Sequence, residues 1–108
     1  MALIKKYDDQ RKIWELDLSG EIDIYNADDL KQDLHALVEE NQSDIEIDCK
    51  GLKYIDSTGL GVLVSALKKV RDYDGKVRLF NLKPHIAKIF YLTGLTKIME
   101  IEENQDEA

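Results

Sequence analysis

Between Ile45 and Val70 the spacing of apolar residues changes period, and that change dictates what this stretch can become. Ile45, Ile47 and Cys49 alternate with Glu46 and Asp48, the two-residue repeat of a strand with one face in a core. Leu60, Leu63, Val64, Leu67 and Val70 then follow the i, i+3, i+4, i+7 spacing of a half-buried helix. The residues between the two patterns are expected to form a surface loop. That loop ends in two adjacent hydroxyls, Ser57 and Thr58, at the start of the helix.

Asp56 and Ser57 are both good N-cap residues, so one of their side-chain oxygens is expected to accept from the unpartnered N–H groups of the first turn. Gly59 and Gly61 are unusual so early in a helix, because each costs roughly 1 kcal/mol against alanine. Their missing Cβ atoms imply a close approach to this turn by a neighbouring element or by another chain. A phosphoryl group on Ser57 would add about −1.5 to −2 charges. The helix start would tolerate that anion, whereas a partner surface shaped for a neutral hydroxyl would not.

The rest of the chain supplies the frame. Leu3 to Tyr7 and Ile13 to Leu18 read as an antiparallel hairpin, with Trp14, Leu16 and Leu18 facing one way and Glu15 and Asp17 the other. Asn26 suits the N-cap of a helix carrying Leu30, Leu34, Leu37 and Val38, with Asp28 and Asp29 in its first turn. Strands are expected at Asp44 to Cys49, Val77 to Asn81 and Ile98 to Ile101. The long helix runs from about Thr58 to Asp72. Pro84 opens a short helix bearing Ile86, Ile89 and Phe90, which Gly94 closes. This order predicts an α/β fold: a mixed, mainly parallel sheet of about four or five strands, an antiparallel strand at the start, and helices mainly on one face.

The segment Tyr54-Ile55-Asp56-Ser57-Thr58-Gly59-Leu60-Gly61 resembles the signature of the bacterial anti-sigma-factor antagonists, the single-domain members of the STAS family. Leu18-Ser19-Gly20-Glu21-Ile22-Asp23 resembles that family's earlier loop, at a matching separation. The similarity runs from about Ile4 to Ile101. It implies that Ser57 is phosphorylated, with Thr58 as a possible second site. It also implies that Gly20, Glu21, Asp23, Asp56, Ser57, Thr58, Gly59, Leu60 and Gly61 form a partner-binding surface. The implied partners are an anti-sigma factor with serine kinase activity, which unphosphorylated protein occupies so that the sigma factor is released, and a serine phosphatase. ATP and metal would belong to those partners, with no cofactor of this chain's own.

Length and composition bound the alternatives. At 108 residues, 44% of them hydrophobic, the chain is expected to be one domain over residues 1–101. The acidic segment 102–108 is expected to be a disordered tail. Four acids of that tail account for more than half of the formal charge of −7, leaving −3 elsewhere, so nucleic acid is not an expected partner. No apolar run has the roughly 18–20 residues that span a bilayer, and the expected compartment is the cytoplasm. Cys49, the only cysteine, reads as a small buried hydrophobe.

Other chemistries fit poorly. Serine hydrolysis at Ser57 needs a nearby base and an orienting acid, yet neither His35 nor His85 is placed by the sequence to serve it. The segment also lacks the first glycine of G-x-S-x-G. Gly59-Leu60-Gly61 is followed by Val62 and Leu63, where a phosphate-binding loop needs Lys and Ser or Thr. Two distant histidines and one cysteine make no metal-ligand cluster. A scaffold module of a larger signalling complex and a small-ligand or nucleotide-binding module remain as other readings.

Overall fold

The computed structural model describes residues 1–104. β1 (Ala2–Asp8) and β2 (Ile13–Ile22) form the expected antiparallel hairpin. Its turn is held by the Asp8 carboxylate, which accepts from the N–H groups of Gln10 at 3.0 Å and Arg11 at 3.1 Å. There follow α1 (Ala27–Glu40), β3 (Asp44–Asp48), β4 (Leu52–Ile55), α2 (Ser57–Arg71), β5 (Val77–Leu82), α3 (Pro84–Leu92), a short 3₁₀ turn (Leu95–Lys97) and β6 (Glu100–Glu103).

The sheet order is β1-β2-β3-β5-β6, with β4 pairing β2 off that path. Every pairing except β1–β2 is parallel. This is the mixed, mainly parallel sheet that the order of elements predicts. One face carries Trp14, Leu16, Leu18, Ile45, Ile47, Cys49, Val77 and Leu79, all buried. Leu30, Leu34 and Leu37 of α1, Leu63, Leu67 and Val70 of α2, and Ile86 and Phe90 of α3 join them in one core. Truncating one such leucine to alanine would cost about 2–5 kcal/mol through lost transfer energy and the residual cavity.

The opposite face is open and charged. Arg78 spans it, bonding Glu100 at 2.8 Å, Glu46 at 3.2 Å and Asp44 at 3.3 Å. Helices therefore cover one side of the sheet, and the alternation of the strands reflects that asymmetry.

Two features depart from the sequence reading. The stretch between Cys49 and Asp56 is not all loop, because Leu52 to Ile55 form β4, a sixth strand among the described residues. Leu52 and Ile55 are buried while Lys53 and Tyr54 between them are exposed, so the strand shows no two-residue alternation. Its place is set instead by pairing with the upper end of β2, at Gly20↔Leu52, Glu21↔Tyr54 and Ile22↔Ile55. Near the C-terminus, Glu102 and Glu103 are part of β6 rather than of a tail. The Asn104 N–H extends the pairing by donating to the Leu82 carbonyl at 2.8 Å. Residues 105–108 of the expected tail lie outside the described residues.

Candidate functional site

The long β2 builds the site by pairing with β3 along its first half and with β4 along its second. The switch between them is a bulge at Gly20 and Glu21, and Gly20 takes a left-handed φ of 85°. Its N–H donates to the Gly51 carbonyl at 2.9 Å. The ends of β2 and β4 thus lie side by side, and the Asp56 N–H donates to the Ile22 carbonyl at 3.2 Å. The two segments singled out in the sequence, around Asp23 and around Ser57, adjoin for this reason.

Asp56 caps α2. Its Oδ1 accepts from the Gly59 N–H at 3.0 Å and from the Thr58 hydroxyl at 2.5 Å. These donors, Thr58 first and Gly59 next, hold its carboxyl below the usual carboxylate range, with smaller contributions from the Thr58 and Ile24 N–H groups. Of the two N-cap candidates, Asp56 performs the task. Ser57 is the first residue of α2, is exposed, and its hydroxyl makes no hydrogen bond among the described residues.

The neighbouring loop is equally ordered. Asp23 Oδ1 accepts from the N–H groups of Tyr25 at 2.9 Å and Asn26 at 3.3 Å. Asn26 does not cap α1 with its side chain as its type suggested. Its amide instead ties the loop to itself, accepting from the Asp23 N–H at 3.0 Å and donating to the Glu21 carbonyl at 2.9 Å. The loop holds Ile24 and Tyr25 out in solvent, 69% and 91% exposed, while Tyr54 of β4 is 49% exposed. These three apolar groups were not among the sequence candidates. The pair Ile24-Tyr25, apolar and directly before a helix start, was the available signal.

The two glycines of the first turn have different reasons. A Cβ on Gly59 would stand 2.6 Å from Ile55 Cγ1 and 2.8 Å from Ile22 Cγ2, so that glycine lets α2 close on the sheet. A Cβ on Gly61 would meet nothing within 4 Å. Gly61 instead lines an open groove of about 460 Å³ between α1 and α2, with Ile24, Ala27, Asp28, Lys31, Thr58 and Val62. Leu60 is half-buried and packs against the core. Glu21 is exposed at the end of β2, and Gly20 and Asp23 are partly buried.

Neither histidine bonds to Ser57: His35 is 2.9 Å from the Ser65 hydroxyl, and His85 is 3.3 Å from the Lys53 carbonyl. Burial pushes the Cys49 thiol up to about 12, with the Asp48 charge adding to the effect, so it stays protonated. Among the described residues, no helix is long and apolar enough to cross a membrane.

A helix-covered mixed sheet that presents a free serine at the start of its second helix is a recognisable combination. The STAS domain family model matches residues 6–108, and the chain belongs to that family. Its sequence is 37% identical over 92 residues to the anti-sigma-B factor antagonist of Bacillus subtilis (strain 168), covering 85% of this chain and 84% of that protein. A putative anti-sigma factor antagonist from Thermotoga maritima superposes with a TM-score of 0.84 at 24% identity, covering 97% of this chain and 89% of the other. The anti-sigma factor antagonist SpoIIAA superposes in its unphosphorylated form with a TM-score of 0.74 at 18% identity, covering 98% and 92% of the two chains. Its phosphorylated form gives 0.73 at 20% identity, covering 98% and 95%. Within the STAS family, this chain is of the anti-sigma factor antagonist type.

Proposed function

We propose that this chain works by phosphorylation-dependent partner switching in the cytoplasm. Unphosphorylated, it binds an anti-sigma factor that is also a serine kinase, and the sigma factor is released. Phosphorylation of Ser57 by that kinase ends the interaction, and a serine phosphatase restores it. The chain itself performs no catalysis and carries no cofactor.

The observation that carries this reading is the state of Ser57. It is exposed, its hydroxyl is without a partner among the described residues, and it stands at the first position of α2. The helix start accommodates an anion, so the modified protein keeps its fold. To the partner-binding surface we assign Asp23, Thr58 and Gly61 from the two adjoining segments, Ile24, which lines one groove with Thr58 and Gly61, and exposed Tyr25 and Tyr54 from the same segments. A dianion placed there would have to be desolvated on docking, at a cost of several kcal/mol when unpaired. Each 1.4 kcal/mol is a tenfold loss of affinity. The occurrence of SpoIIAA in unphosphorylated and phosphorylated forms supports the same reading.

The test is peptide mass spectrometry after incubation with ATP and host extract, joined to partner-binding titrations with the purified anti-sigma factor. Wild type should acquire phosphate on Ser57. Ser57→Ala should bind the partner and remain unmodified, and Ser57→Asp should bind at least tenfold more weakly with an unchanged circular dichroism spectrum. An unmodified wild type in an extract that labels a control substrate would remove the switch.

A further inference from the structure

Ser57 and Thr58 are adjacent hydroxyls in one helical turn, but their hydrogen-bonding states differ. Thr58 Oγ1 donates to Asp56 Oδ1 at 2.5 Å, and the same oxygen takes the Gly59 N–H at 3.0 Å. The Ser57 hydroxyl makes no hydrogen bond among the described residues. We propose that Thr58 is a positioning residue and not a second acceptor: its hydroxyl, given to Asp56, fixes the first turn so that Ser57 alone is presented to a phosphoryl donor. This inference rests on the phosphorylation reading above and adds what decides between the two hydroxyls.

Three physical arguments support it. First, an attacking hydroxyl must hand its proton to a base, and the carboxylate holding the Thr58 proton is a poor one. Asp56 is stabilised as an anion by the donors around it and serves the helix as a cap. Second, the Thr58 hydroxyl donates to a carboxylate at 2.5 Å, a charge-assisted bond, so turning its oxygen toward a phosphoryl donor means losing that bond. Third, the two phosphorylated products differ in cost. A phosphate on Thr58 would replace the donor with a dianion facing the Asp56 carboxylate, breaking the cap and adding repulsion. A phosphate on Ser57 breaks no existing bond and sits at the favourable end of the helix dipole.

The transfer is an ordinary substitution at phosphorus. Ser57 Oγ forms a bond to the γ-phosphorus of a nucleoside triphosphate held by the kinase. The bond from that phosphorus to the β–γ bridging oxygen breaks, the nucleoside diphosphate leaves, and the hydroxyl proton passes to a base of the kinase or to water.

The experiment compares full-length wild type, Ser57→Ala, Thr58→Val and Thr58→Ser, each incubated with ATP and soluble host extract. Initial rates are followed across a range of substrate concentration, and sites are assigned by peptide mass spectrometry. Wild type should carry phosphate on Ser57 alone, and Ser57→Ala should carry none. Thr58→Val should be labelled on Ser57 with a maximal rate at least tenfold lower. Thr58→Ser, which restores the hydroxyl, should recover most of the rate. A general loss of fold would not give this rescue, and thermal denaturation of each variant checks for it.

Phosphate on Thr58 in wild type or in Ser57→Ala would overturn the inference while leaving a phosphorylation switch in place. Full-rate labelling of Thr58→Val would overturn it likewise. Absence of phosphate from every variant, in an extract that labels a control substrate, would overturn both the switch and this inference.

Discussion

Gly59 lies against Ile55 so closely that a Cβ added to it would stand 2.6 Å from Ile55 Cγ1, while Gly61, two residues on in the same turn, has no neighbour within 4 Å of that position. The first glycine is required by the fold and the second is not. Gly59→Ala should destabilise the protein by about 1–3 kcal/mol, since overpacking outweighs the gain in helix propensity. Gly61→Ala should be neutral or stabilising by up to about 1 kcal/mol. If the groove beside Gly61 receives the partner, the same methyl should weaken binding about tenfold or more. Urea denaturation and partner titration of the two variants separate these effects; equal destabilisation by both would contradict the assignment.

The exposed apolar side chains of the loop that adjoins the Ser57 segment lead to a second expectation. Tyr25 is 91% exposed and contributes almost nothing to the core. Its backbone is nevertheless fixed, because the Asp23 carboxylate holds the Tyr25 N–H at 2.9 Å. An aromatic side chain on an ordered loop loses little entropy on docking and suits a binding hot spot. Tyr25→Ala should leave the denaturation midpoint within error and reduce partner affinity by about 1–2 kcal/mol, or roughly 5- to 30-fold. Unchanged affinity in a calorimetric titration would move the interface away from this loop.

The thiol of Cys49 offers an independent check on packing. It is buried at the end of the strand pattern Ile45, Ile47, Cys49, with its Sγ 3.7 Å from the Ile47 carbonyl. Burial pushes it up to about 12, so no thiolate is available near neutral pH. A thiol-reactive disulfide reagent should leave the native protein unmodified for as long as it stays folded, and should react at once after addition of denaturant. Rapid native reaction would mean that the sheet–helix interface opens locally.

The frame and the site were legible in the sequence to different degrees. Alternation at Trp14, Leu16 and Leu18 and at Ile45, Ile47 and Cys49 marked strands because one sheet face is dry and the other wet. Helical spacing in α1 and α2 was equally clear, because one stripe of each helix is buried. β4 escaped, since its four residues are buried only at Leu52 and Ile55 and its pairing with β2 is set by tertiary contact. Asn26 takes the N-cap position of α1 that its type suggests, but without a side-chain cap bond. The chain reversal at Asp23 offers the Asp23 N–H and the Glu21 carbonyl nearer by. The motif around Ser57 could be read, while the distinction between Gly59 and Gly61 required knowing what lies across from each.

The last expectation concerns acid. Asp56 is held below its ordinary value of 3.8, first by the Thr58 hydroxyl and then by the Gly59 N–H. In the unfolded chain those donors are lost and the carboxyl returns to its ordinary value. The folded protein therefore binds fewer protons than the unfolded one between the two values, and stability rises with pH there. The contribution of the cap is fully present above about pH 4 and is lost as pH falls through the depressed folded value. Asp56→Asn cannot titrate at this position, although an amide oxygen can still accept from the Gly59 N–H. Urea denaturation from pH 7 to pH 2.5 should show wild type more stable than Asp56→Asn at neutral pH, with the difference shrinking below about pH 4. Thr58→Val, which removes the leading cause of the shift, should make that decline smaller and end it at higher pH, while its onset near pH 4, set by the unfolded chain, stays in place. A constant difference between wild type and Asp56→Asn across the whole range would mean that the carboxylate charge does not support the cap.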